Sequence, residues 1–247
     1  WAETNGVKVT NNSNSYGFTS SAIADKYATT KAAGMIHFAS AGNLGSGTVG
    51  YPANLPDINA VGALNNQGEK AGFSQYGTGL QFCAPGEDIL TTDHQGTSGF
   101  NEASGTEGDY VSVNGTSFAS PYTAGVAALI LSVAPFLTPT EVEIVMETTA
   151  MDRGDAGYDT TFGWGVPNAF AALAASSLDY SGYWVDKTHS GLQIGTEVFP
   201  MTSISDGLAL VPAGESLHVE SGIYFQSTSI NQSVTILAEN GNVVLGN

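Results

Sequence analysis

The sequence predicts an α/β protein in which a parallel sheet carries helices on both faces and a smaller β-rich unit follows. Three observations predict it. Apolar runs of strand length alternate with helix-length segments over residues 1–175, the pattern of a parallel sheet with crossover helices. The segment Thr116–Val133 is apolar around most of its circumference, as a helix buried within a domain requires. Beyond Ala175 the pattern turns to short alternating strands divided by Gly, Pro and Asn.

The elements follow in order. Gly6–Thr10 reads as a short strand, and Ser20–Ala33 as a helix that Gly34 ends. Met35–Ala39, Ile58–Ala63 and Leu80–Cys83 are nearly continuous apolar runs, expected of strands covered on both faces. In Thr116–Val133 the small residues Ala119, Ala124, Gly125, Ala127 and Ala128 permit close packing. Thr138-Pro-Thr-Glu141 is a capping box with Pro at the first helical position, and Val142, Val145 and Met146 form the apolar stripe that follows. Residues 176–190 read as a connector between a first unit, 1–175, and a second, 191–247. There, Phe199–Leu210 reads as a short helix. Ser216–Val219, Ser233–Ile236 and Asn242–Leu245 read as strands separated by turns at Ser221-Gly222 and Asn240-Gly241.

Composition limits the function. Six Lys and Arg against 23 Asp and Glu give a formal charge of −17, which excludes an electrostatic nucleic-acid binder and disfavours an anionic membrane surface. No run approaches the roughly 18 apolar residues of a membrane span. The acidic, lysine-poor surface points to an extracellular protein. Cys83, the one cysteine, lies in an apolar run and reads as a buried thiol.

Two segments carry chemistry. In Asn114-Gly-Thr-Ser-Phe-Ala-Ser-Pro121 a serine stands in the first turn of the buried helix, where free N–H groups and the helix dipole stabilise negative charge. By itself Ser117 reads better as a capping serine. In Phe38-Ala-Ser-Ala-Gly-Asn43 a buried strand ends in an Asn at the sheet edge where α/β proteins bind ligands; alone, Asn43 reads as a turn residue. Asp152, Asp155 and Asp159 share a Gly-rich loop, readable as solvated carboxylates or as oxygen ligands for a hard cation. The sequence assigns no metal-ligand set.

Together these segments resemble the subtilisin family of serine proteases. Gly115-Thr-Ser-Phe-Ala-Ser-Pro121 is similar to its nucleophile motif and Ala39-Ser-Ala-Gly-Asn43 to its oxyanion motif. Gly47-Thr-Val-Gly-Tyr-Pro52, Asn59-Ala-Val-Gly62, Phe73-Ser74 and Ala84-Pro-Gly86 match in order between them. Phe162-Gly-Trp-Gly-Val166 with Asn168-Ala169 matches after them. The resemblance implies a subtilisin-like fold for 1–175 and a serine endopeptidase. Ser117 would be the nucleophile, and Asn43 with the Ser117 N–H the oxyanion donors. Asn12–Gly17 resembles the strand that pairs with substrate backbone, with Ser15-Tyr16-Gly17 in contact; Ser40-Ala41-Gly42 and Thr116 would also line the substrate. Gly50 would form the floor of a deep specificity pocket, which favours a large apolar side chain before the cleaved bond. The resemblance implies secretion, protein or peptide substrates, no required cofactor, and structural calcium. It also implies a catalytic His and Asp before the serine, but no matching His-Gly-Thr-His or Asp-Ser/Thr-Gly segment stands among the 116 residues that precede Ser117. His37, His94, His189 and His218 read as non-catalytic. The chain is therefore expected to be inactive alone.

The second unit resembles the opening of a right-handed parallel β-helix of the pectin-lyase type, on Gly195-Thr196, Phe199-Pro200, Ala213–Tyr224 and Val234–Gly241. A β-sandwich appendage is the alternative. The competing function is a non-catalytic binder of glycan or cell surface on a degenerate protease scaffold.

Overall fold

A computed structural model of the chain describes residues 1–101, 108–176, 183–191, 193–226 and 229–246. It divides into two compact units, Trp1–Leu131 with Leu137–Ala169, and Ser132–Phe136 with Phe170–Asn247.

The first unit is built on four parallel strands in the order β1-β2-β3-β4. These are β1 (Val9–Asn12), β2 (Ile36–Ser40), β3 (Asn59–Leu64) and β4 (Leu80–Pro85). Every residue of β2 and β3 is buried, as their nearly continuous apolar runs lead one to expect of central strands; the polar exceptions are His37, Ser40 and Asn59. β1 begins later than expected because Gly6, at φ 71°, closes a 3-10 turn over Glu3–Asn5. Helix α1 (Ser21–Ala32) crosses from β1 to β2, and Gly34 at φ 94° reverses the chain after it. Helix α2 spans Thr116–Val133, as expected, and buries Ala119, Thr123, Ala124, Val126, Ala127 and Ile130, but it is not buried all round: Tyr122, Gly125, Ala128, Leu129 and Val133 are exposed, so Gly125 and Ala128 do not serve the expected close packing. It is long and apolar enough to cross a membrane, but burial of that stripe accounts for its composition. Helix α3 (Pro139–Thr149) carries the capping box. The Glu141 N–H donates to Thr138 Oγ1, and the Thr138 N–H donates to Glu141 Oε2 at 2.7 Å. Buried Val142, Val145 and Met146 fix its inner face.

An antiparallel ribbon, β5 (Ile89–Thr92) with β6 (Tyr110–Val113), leads from β4 into α2. The sequence reading leaves this stretch unassigned, because its four-residue strands alternate only weakly. Most of the expected insertion at Asn101–Gly108 lies outside the described residues.

Helix α4 (Ala169–Ser176) begins beside the boundary between the units. The second unit contains a parallel sheet in the order β7-β8-β9: β7 (Tyr183–Val185), β8 (Ser216–Phe225) and β9 (Thr235–Gly246). β7 falls inside the stretch expected as connector. Helix α5 (Ile204–Leu210) is shorter than the expected Phe199–Leu210, because Ser203 caps it by accepting the Asp206 N–H at 3.0 Å. Gly207 brings α5 onto the sheet; a methyl there would press into Val185 and Leu217. The core comprises Val185, Ile204, Leu217, Val219 and Tyr224, with Ile236 and Val243 packed against it.

Two expected turns are corrected. Ser221-Gly222 and Asn240-Gly241 lie inside β8 and β9 and do not end strands. Gly222 (φ 155°), Asn240 (φ 53°) and Gly241 (φ 144°) absorb a register shift between the Glu220–Glu239 and Gly222–Val243 pairs, so the glycines make a bulge.

Candidate active site

The site is assembled where the chain leaves the carboxyl ends of β1, β2 and β4 and meets the first turn of α2. β2 delivers Ser40, Ala41 and Gly42, all buried, and then the exposed Asn43. Gly42 lies at φ 113°, and any side chain on it would run into Gln75. The Gln75 N–H in turn donates to the Gly42 carbonyl at 2.9 Å.

The segment Asn114–Ser117 is held from three strands. After β4, the Gly86 carbonyl accepts the Gly115 N–H at 2.7 Å. The Asp88 N–H donates to Asn114 Oδ1 at 2.8 Å, and that geometry places Asp88 in the left-handed region at φ 55°. Gly86 lacks a side chain because a methyl there would lie 2.6 Å from the Ala63 methyl and 2.9 Å from the Gly115 oxygen. After β2, Asn43 Oδ1 accepts both the Thr116 N–H at 2.9 Å and the Thr116 hydroxyl at 2.8 Å. The Thr116 oxygen accepts the Gly42 N–H at 3.2 Å. After β1, the Ser13 hydroxyl donates to the Ser117 carbonyl at 3.0 Å, and the Ser117 hydroxyl donates to the Ser13 carbonyl at 3.4 Å.

This pattern fixes the Asn43 amide without ambiguity. A backbone N–H only donates, so the atom facing Thr116 is the carboxamide oxygen and Nδ2 points away from it. Among the described residues, neither Asn43 Nδ2 nor the Ser117 N–H donates a hydrogen bond. Asn43, bonded to Thr116, and Ser117, the next residue in the chain, thus each carry a free N–H donor at the positive end of an 18-residue helix.

The remaining expected contacts are placed as follows. Gly50 donates its N–H to the Ala41 carbonyl at 2.8 Å, and a methyl on it would stand 3.1 Å from that oxygen. The Tyr16 N–H donates to the Tyr51 carbonyl at 3.0 Å, and the Tyr16 ring lies 6.2 Å from Phe18 and 6.1 Å from Tyr51. Ser15 and Gly17, on either side of it, are exposed. Ser13, rather than these three, touches the serine. Ser13 lies within the Asn12–Gly17 stretch expected beside the substrate, but the expected contact falls two residues later, because this Asn/Ser-rich run has no apolar pattern to fix its register.

No described histidine reaches Ser117 within the first unit. His37 is buried between Thr10 Oγ1 (2.6 Å from Nδ1) and Thr30 Oγ1 (2.9 Å from Nε2), with the Tyr27 ring edge-on at 4.9 Å. Thr30 already donates to the Lys26 carbonyl at 2.7 Å, so it accepts from His37 Nε2–H and Thr10 donates to Nδ1. Burial, aided by the Lys31 charge, pushes this imidazole down to about 4. His94 is exposed, with Nδ1 3.1 Å from the Gln95 carbonyl. In the second unit, His218 stacks on Trp184 at 4.7 Å and contacts Glu239 through Nδ1 at 2.7 Å. Burial pushes the Cys83 thiol up to about 12, so it is no nucleophile.

The acidic loop turns its carboxylates onto its own backbone. Asp159 accepts the N–H groups of Asp155, Thr161 and Phe162, and Asp152 accepts that of Gly157. Among the described residues no three His, Cys, Asp or Glu side chains converge as a metal set.

A serine at a helix N-terminus, with a free backbone N–H and an oriented amide on neighbouring residues, is an arrangement able to stabilise negative charge on oxygen. Residues 1–165 match the Subtilase family, and the chain belongs to that family. It is 39% identical to subtilisin DY of Bacillus licheniformis over 178 residues, which is 70% of this chain and 59% of that protein. It is 44% identical to an extracellular protease of Xanthomonas campestris over 138 residues, 55% of this chain and 23% of that one. The chain thus spans well under two thirds of these relatives' lengths. Among solved structures, a protease from Pseudoalteromonas arctica superposes with a TM-score of 0.60 at 30% identity, over 70% of this chain and 52% of that one. A psychrophilic subtilisin-like protease from Pseudoalteromonas sp. AS-11 superposes with a TM-score of 0.63 at 19% identity, over 73% of this chain and 72% of that one, a likeness of fold.

Proposed function

We propose that this chain carries the nucleophile and oxyanion hole of a secreted serine endopeptidase. The observation that supports this most is the pair of free donors, Asn43 Nδ2 and the Ser117 N–H, on two residues that Thr116 links at the start of α2. Ser117 Oγ attacks the peptide carbonyl carbon while its proton passes to a histidine base supplied from outside these 247 residues. The carbonyl oxygen, now negative, takes the two N–H donors. Collapse expels the amine with that proton and leaves an acyl-enzyme, which water then hydrolyses. The chemistry uses no cofactor. The substrate lies extended beside Ser15-Tyr16-Gly17 and Ser40-Ala41-Gly42, with a large apolar side chain directed at Gly50. Without the base and its orienting carboxylate the chain alone is inactive.

The test compares hydrolysis of a chromogenic peptide amide with Phe before the reporter by the full-length protein, its Ser117→Ala variant and residues 1–247 alone. Activity in the first only supports the reading. Equal activity in the first two overturns the role of Ser117, and activity in the third overturns the dependence on outside residues.

The second unit reads best as the opening rungs of a parallel β-helix, since β7, β8 and β9 stack in parallel with Leu217, Val219, Ile236 and Val243 directed to one core. Its opposite face carries Trp184 stacked on His218, an aromatic platform suited to a polysaccharide or a cell-surface glycan. A glycan array that retains the whole chain but not its Trp184→Ala variant would support the binding function. Equal retention would remove it.

A further inference from the structure

Pro121 stands four residues after the nucleophile, inside α2. In an α-helix the carbonyl of residue 117 would accept the N–H of residue 121. Proline has no N–H, and its ring crowds that carbonyl. The Ser117 carbonyl is thereby released from its own helix. The group that takes it is the hydroxyl of Ser13, one residue beyond β1, at 3.0 Å.

The direction of that bond is dictated by a neighbour. Asn11 Nδ2 donates to Ser13 Oγ at 3.0 Å, which occupies the oxygen as an acceptor and leaves its single hydrogen for Ser117. Asn11 Oδ1 accepts the Ser120 hydroxyl at 2.6 Å, so Asn11 ties the strand to the next turn of the same helix. The nucleophile's backbone is thus anchored to β1.

On the reading of Ser117 as nucleophile, we propose that Ser13 is a positioning residue. Its hydroxyl holds the Ser117 main chain that Pro121 has freed, and so aims the serine hydroxyl at the carbonyl carbon and the Ser117 N–H at the carbonyl oxygen. Ser13 acts through Ser117 and does no chemistry itself.

The test is a mutant cycle in the full-length protein, read as kcat and KM on a peptide amide. Ser13→Ala lowers kcat by about tenfold and leaves KM within about twofold, because the lost bond serves the transition state more than the bound substrate. Ser13→Thr, which keeps the hydroxyl, recovers most of the rate. Pro121→Ala restores a helical N–H for the Ser117 carbonyl, so in that background Ser13→Ala costs no more than about twofold. If Ser13→Ala does not fold, Ser13→Cys, a weaker donor, carries the same comparison. An unchanged kcat in Ser13→Ala, or an equal loss in both backgrounds, overturns the proposal. Absence of any Ser117-dependent hydrolysis by the unmutated protein overturns instead the reading on which it rests.

Discussion

Ser13 and Ser117 exchange hydrogen bonds, each hydroxyl donating to the other's carbonyl, at 3.0 and 3.4 Å. The shorter bond is the firmer one. It anchors a main chain, whereas the longer one holds a hydroxyl that a base can draw away. On the proposed role of Ser117, the nucleophile is thus fixed in position while its proton stays available.

Removal of the proposed oxyanion donor Asn43 measures what it contributes. Asn43→Ala in the full-length protein is expected to lower kcat by about 10²–10³ with little change in KM. Steady-state kinetics on one peptide amide checks this, and a loss confined to KM would contradict it.

Thr116 orients that donor through two bonds to Asn43 Oδ1. Thr116→Val keeps the shape and the backbone bond but loses the hydroxyl bond, and it also strands the Gly42 N–H that the hydroxyl accepts. A fall in kcat of about tenfold is expected. Because Thr116 acts on Asn43, the same change made in Asn43→Ala should cost clearly less.

The buried imidazole of His37 gives a pH dependence. Its pKa falls from 6.5 unfolded to about 4 folded, so between these values the unfolded chain binds more protons. Its contribution to stability is full above pH 6.5 and is lost as pH falls through about 4. Thermal midpoints of the parent and of His37→Asn, followed from pH 7 to 4, should converge as the pH falls. A gap of constant size would contradict the assignment.

Glu147 behaves in the opposite sense. Burial, with the neighbouring Glu143 charge, raises its carboxyl from 4.5 to about 6. The folded state binds more protons between those values, so stability falls as pH rises through that window and stays reduced above it. Gln81 Nε2, 3.3 Å from Glu147 Oε1, offsets only part of this. Glu147→Gln is expected to stabilise at pH 8 by on the order of 1 kcal/mol after allowance for solvent screening, and by little at pH 4. Denaturant titration at the two pH values checks both points.

Much of this was legible in the sequence, for physical reasons that differ by element. β2 and β3 declare themselves because strands buried on both faces must be apolar throughout. α3 does so because Thr138 and Glu141 can satisfy each other's terminal groups only at that spacing. Ser117 and Asn43 were legible as a pair, not singly, since each has an ordinary capping or turn role. The Asn12–Gly17 stretch was legible, but the bond from Ser13 to Ser117 was not, because it depends on the carbonyl that Pro121 releases 104 residues from Ser13 in sequence, a relation no local pattern encodes. The β5–β6 ribbon escaped for want of length. Gly222 and Gly241 misled, because a glycine that reads as a turn can equally sit in a bulge.

The most direct measurement is covalent. A fluorophosphonate, which bonds only to an activated serine, is reacted with the full-length protein and with residues 1–247 alone, and the adduct is mapped by mass spectrometry. The account predicts a single adduct on Ser117 in the full-length protein and none in the isolated chain. Labelling of the full-length protein at another residue, or no labelling of it at all, would contradict the account.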